Sequence, residues 1–267
     1  MGQRPIRSAG ASEPQETIET VSFGPDFQEL TMKRRTTAYL GTSVLAMVAA
    51  ASLGTGSAAA HPTPAPAGNG AERTVALRAQ LDELNGSGAS GTATTLVRNQ
   101  KIQHIEVDAH GLTPDAPHAQ HIHYGQQALN ECPTLALDDN DDGRINTVEG
   151  VPAYGPVVVS LNTTGDTTPA SFLDVTRFPV SDDGSYDYER DNIPFTHVAG
   201  TGYSGGGGTA KQIADSIREG EGVLVIHGVD YNGNGEYDFD AGRSELDPNL
   251  PAEATDPAVC GVLEVTK

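Results

Sequence analysis

Basic residues are scarce in this chain: 16 lysines and arginines stand against 36 aspartates and glutamates, a formal charge of −20 over 267 residues. That balance argues against nucleic acid or anionic membrane surfaces as partners and favours metal cations. Cysteine is nearly absent, with only Cys132 and Cys260, so one disulfide is the most the chain can form. In an oxidising compartment the two would pair and close a loop of more than a hundred residues. No repeat of solenoid period is present. The longest apolar run, residues 39–53, is too short and too glycine-interrupted for a permanent membrane span.

That run has a different use. Met32-Lys33-Arg34-Arg35 is a basic start, the apolar run follows, and Ala58-Ala59-Ala60 offers small residues for cleavage. The pattern predicts an export signal over residues 32–60 and a secreted product. Residues 1–31 lack apolar periodicity and are read as a non-native extension. No cysteine sits at the cleavage point, so a lipid anchor there is not expected. Residues 61–72 read as a Pro/Ala linker and residues 73–267 as one domain with a single core.

Within that domain, residues 74–81, 119–124, 157–161, 172–180, 186–189, 223–229 and 262–265 read as strands. Residues 92–97 and 102–109 alternate around Arg98-Asn99-Gln100-Lys101 as a hairpin should. Residues 210–219 are the one helix-like piece, with Ile213, Ala214 and Ile217 at helical spacing. Many short strands with Gly, Pro and Asp turns mean an all-β sandwich or barrel with long loops and one short helix.

The chemistry lies in the histidines. His118-Ala119-Gln120-His121-Ile122-His123 puts His121 and His123 on one face of a strand, because side chains repeat every second residue. Two neutral imidazoles on one face are ready ligands for copper or zinc. Val223-Leu224-Val225-Ile226-His227 supplies a third on a strongly β-forming run.

With Cys132 nine residues after His123 and Cys260-Gly261-Val262 near the end, this order resembles the copper/zinc superoxide dismutases over roughly residues 74–267. Residues 91–123 also look like the chordin-type (CHRD) domains, which carry a similar His-Ile-His. The resemblance implies a Greek-key β-sandwich or barrel, a Cys132–Cys260 disulfide, and copper on His121, His123 and His227. It implies a scaffold hydrogen bond for His118, and turnover of a small anion, superoxide, to oxygen and hydrogen peroxide. The family's zinc-binding stretch is missing: only His197 lies between Cys132 and His227, so a zinc site of the family type is not expected. His197 is the candidate for a remaining copper ligand, and Arg243 for the arginine that guides the anion. The alternative is a non-catalytic extracellular module that binds calcium or copper; a third class is copper storage or delivery.

Calcium enters from a separate motif. Residues 138–149 match the twelve-position calcium loop, with oxygen donors Asp138, Asn140 and Asp142 at positions one, three and five. Gly143 stands at six, the Arg144 carbonyl at seven, and Glu149 at twelve as the two-oxygen ligand. Asp230, Asn232, Asn234 and Asp238 repeat the first part of that pattern, but position twelve is Ala241, so Asp240 or Glu245 would have to substitute. These loops fall where the resembling enzymes keep their zinc-binding and second active-site loops.

Overall fold

The computed structural model describes residues 73–200 and 206–267. The expected signal, extension and linker all lie outside them. The described residues are mostly antiparallel β, in one nine-stranded sheet that curls into a half-barrel. The strands are β1 (Val75–Glu83), β2 (Ser90–Arg98), β3 (Lys101–His110), β4 (Gln120–His123), β5 (Val157–Ser160), β6 (Tyr186–Pro194), β7 (Val223–His227), β8 (Pro257–Val262) and β9 (Glu264–Val265). Their order across the sheet is β5-β4-β7-β8-β1-β2-β3-β6, with β9 also on β1.

β1 joins the two halves. Residues 75–81 pair with β2, and its last residues, Asp82 and Glu83, pair with Val259 and Cys260 of β8. The close approach there needs a glycine: a Cβ on Gly261 would come within 2.2 Å of the Gln80 carbonyl oxygen. β2 and β3 form the expected hairpin, turning at Asn99, which takes φ 54°. Alternation on β1, β2 and β3 sends Leu77, Leu81, Ala93, Ile105 and Val107 inward, where they meet Ile122, Leu224, Ile226 and Val259 from the other half. Helix α2 (Ala210–Glu219) closes this core with Ile213, Ala214 and Ile217, as its spacing predicts, and starts in a Thr209–Gln212 capping box.

Two expectations need correction. Residues 172–180 are not a strand. They follow a short 3₁₀ turn, Pro169–Ser171, and hold another, Val175–Arg177. Pro179 removes a donor a ladder would need, and Arg177 bonds Asp174 locally instead. Nor is there one helix. α1 (Thr147–Tyr154) and α3 (Ala252–Thr255) join α2. α1 is hidden in the sequence by Gly150 and Pro152, and is set up by an Asn146–Glu149 capping box.

The disulfide is present between Cys132 and Cys260, 128 residues apart. It ties the loop after β4 to β8, beside a second cluster of Tyr154, Val223 and Val225 on the sheet face turned away from the main core. No helix among the described residues is long and apolar enough to cross a membrane.

Candidate metal centre

The face turned away from the core carries the histidines. On β4, Ile122 joins the main core, so His121 and His123 must point the other way. On β7, Leu224 and Ile226 take the core side, leaving the opposite side to Val223 and Val225. β4 and β7 pair directly, with His121 opposite Val225, and a bulge between Ile226 and His227 adjusts the last residue. The outcome is one ligand nitrogen each from His121, His123 and His227, all within 4.8 Å of one another.

Backbone carbonyls fix how these rings point. His121 donates from Nε2 to the Phe172 oxygen at 3.0 Å, His123 from Nδ1 to Gly155 at 2.9 Å, and His227 from Nδ1 to Thr255 at 2.7 Å. A carbonyl only accepts, so each bonded nitrogen carries the proton and the other keeps its lone pair. Those other nitrogens, His121 Nδ1, His123 Nε2 and His227 Nε2, are buried and have no hydrogen-bond partner. Burial is the chief cause holding all three rings neutral. His121 is pushed well below its ordinary 6.5, with His227 and His123 adding repulsion. His123 falls to about 3 and His227 to about 4. Three orphaned lone pairs on neutral imidazoles are a donor set that fits copper, and also zinc.

The supports come from several loops. Gly155, at φ 83°, presents its carbonyl to His123 at the end of α1, where a Cβ would come within 2.5 Å of Gly125 N. Tyr154 packs its ring on His123 at 4.4 Å between centroids. The Thr147 hydroxyl donates to the same Thr255 oxygen that His227 uses. His118 is fully buried, with Nδ1 at 2.9 Å from the His227 oxygen and Nε2 at 3.1 Å from that of Thr113. That is the expected scaffold role.

His197 and Arg243 are elsewhere. His197 is exposed, with Nδ1 at 2.9 Å from the Gly208 oxygen, and is not in the histidine group. Arg243 lies over the Phe239 ring and bonds the Pro248 oxygen; it does not line the histidine cavity. A further group, His104 with Glu189 and Asp191, lies on β3 and β6 at the surface. Hydrogen bonds that the His104 ring donates to Asp191 and Glu106 raise its pKa, which marks an ion-pair cluster that sequence spacing does not reveal.

Both acidic loops fold as tight turns whose backbone N–H groups point at their own side-chain oxygens. Asp138 accepts from the backbone N–H of Asp142 and Gly143, and Asn140 from Asp142. Glu149 accepts from Asp139 and Asn146, loop positions two and nine. In the second loop Asp230 accepts from Gly233, Asn234 and Gly235. The Asn232 and Asn234 side-chain amides donate to Asp238. Positions two and nine of this loop, Tyr231 and Asp238, donate to one carboxylate: Glu253 of α3, at 3.1 and 2.7 Å. Glu253 is fully buried and holds toward this loop the place that Glu149 holds toward the first. Neither Asp240 nor Glu245 fills that place. Arg144 links the loops, donating to the Ala241 oxygen at 2.8 Å.

No protein-family model and no curated protein matches this chain.

Proposed function

We propose that this is a secreted copper-binding protein of the superoxide dismutase-like superfamily, with a Greek-key scaffold of that kind and calcium-ordered loops. One observation carries the copper reading: three buried ring nitrogens, each with its lone pair free, converge on one point. A buried polar atom without a partner is costly, and a metal ion would satisfy all three at once. Among divalent ions copper binds such nitrogen sets most tightly. The ion would supply redox chemistry; the chain supplies His121, His123 and His227 and the carbonyls that orient them. Secretion is supported by the export-signal pattern in residues 32–60 and by the disulfide, which persists in oxidising compartments.

Two uses of the copper compete. The resemblance implies dismutation of superoxide. The absence of any charged side chain among the described residues lining the histidine cavity favours the other, a binding module or copper carrier without turnover. The calcium reading rests on the twelve-position pattern of residues 138–149 and on Glu253 standing in for position twelve of the second loop.

The test is metal content of the exported protein, with superoxide turnover assayed on the same sample. One copper per chain, lost in both His121→Ala and His227→Ala while the disulfide persists, is the expected result. Copper content unchanged in both variants would sink the site. Turnover that His227→Ala abolishes would decide for the dismutase.

A further inference from the structure

The three imidazoles line a cavity of about 50 Å³, room for a molecule of only a few heavy atoms. The rest of its wall is apolar, built mainly by Phe172, Leu173, Val175 and Phe178 from one loop and Leu246 and Leu250 from another. Val175 is exposed and Leu173 and Leu250 are half-buried, so the wall runs to the surface. The few polar groups in it are already used inside the protein. The Thr147 hydroxyl donates to the Thr255 carbonyl, the Thr255 hydroxyl donates to Ser244, and the Tyr237 hydroxyl lies 3.1 Å from the His118 ring.

Among the described residues no arginine or lysine lines this wall. The arginines of the neighbouring loops are turned to other partners: Arg177 to Asp174, Arg144 to Asp142 and the Ala241 carbonyl, and Arg243 to the Pro248 carbonyl. An anion crossing such a wall sheds its water without gaining a donor or a cation. It must also approach a chain of net charge −20. A metal ion at the histidines would attract an anion once it arrived, but no charged group among the described wall residues helps it there. A neutral molecule of the same size loses little on entry.

We propose that this cavity admits small neutral ligands, such as a diatomic gas, to the histidine-bound metal and discriminates against anions, superoxide included. The proposal rests on the copper reading above and names the substrate class of that site.

The experiment uses the full exported chain loaded with copper, its metal content measured first. Azide at neutral pH is the anionic probe, followed by the charge-transfer absorbance of the Cu(II) form. Carbon monoxide is the neutral probe, followed by its infrared stretch on the Cu(I) form. The expected result is a carbon monoxide signal together with weak azide binding. Azide binding then strengthens about tenfold or more in Leu250→Arg or Leu173→Arg, which place a cation on the wall from different loops. Tight azide binding to the unaltered protein, or no gain in either arginine variant while both hold copper, overturns the neutral-ligand proposal and leaves the copper site standing. A copper-loaded protein blind to carbon monoxide also overturns it. A chain that takes up no copper defeats the copper reading itself, and this proposal with it.

Discussion

A single hydrogen bond per ring determines what each site histidine can do. The Phe172, Gly155 and Thr255 carbonyls accept hydrogen bonds from the ring N–H groups and leave three lone pairs facing inward. Burial then keeps the rings neutral, and this has a consequence for stability. In the unfolded chain these histidines take up protons near 6.5, whereas in the folded protein His227 resists until about pH 4 and His123 until about 3. Between those limits the unfolded state binds more protons, so stability falls as the pH drops. The slope is about 1.4 kcal/mol per pH unit for each proton of difference. Asp256 opposes this. Burial first, then Glu245 and Asp142, raise its carboxyl from 3.8 to about 7, so the folded state holds a proton that the unfolded state releases, and stability falls as pH rises through that range. The histidines outnumber it. The metal-free protein should therefore melt at progressively lower temperature from pH 6.5 to 4, and more steeply so in Asp256→Asn. Melting curves at several pH values check this, and a flat profile in both proteins would contradict the assigned protonation states.

At the scale of elements, the strands and histidines were legible because period-two alternation is a local signal. His121 and His123 share a face on any strand, and the run ending at His227 could hardly be anything but β. What was not legible came from contacts far apart in sequence. Residues 172–178 look like a strand by composition, yet Phe172, Leu173, Val175 and Phe178 are apolar because they wall the histidine cavity. Glu253 could not be paired with the second acidic loop from spacing, since it reaches Tyr231 from 22 residues on. Its position nonetheless gives a sharp expectation. Calcium should raise the melting temperature, by an amount set by RT ln(1 + [L]/Kd), about 2.7 kcal/mol at a hundredfold excess over Kd. Glu149→Gln should remove the first loop's share and Glu253→Gln the second's, while Glu245→Gln, whose side chain the loop does not use, should change nothing. Calcium titrations followed by thermal melting separate the three. An unchanged response in Glu253→Gln would return the second loop to a plain acidic turn.

For the whole molecule, the disulfide and α1 decide how separate parts act together. Closing a loop of 128 residues restricts the unfolded chain by roughly 4–5 kcal/mol on loop-entropy grounds. For a domain of this size that is about 10 °C or more of melting temperature. The Cys132→Ser, Cys260→Ser double variant should show a loss of that order in a thermal melt. α1 does more than pack. Its first turn holds Glu149, which anchors the first acidic loop, and the residue after its last turn is Gly155, whose carbonyl orients His123. Thr147 in the same first turn bonds the Thr255 carbonyl that orients His227. Ordering the loop around calcium would thus settle two of the three carbonyls that aim the site histidines. Calcium should tighten copper binding and, by reciprocity, copper should tighten calcium binding by the same factor, about 5- to 150-fold for a coupling of ordinary size. Copper(I) competition against a chromophoric chelator, with and without saturating calcium, measures the first factor, and calcium titration of the copper-loaded and copper-free forms measures the second. Glu149→Gln should abolish both together. Equal copper affinity with and without calcium would mean that α1 holds the two sites side by side without linking them.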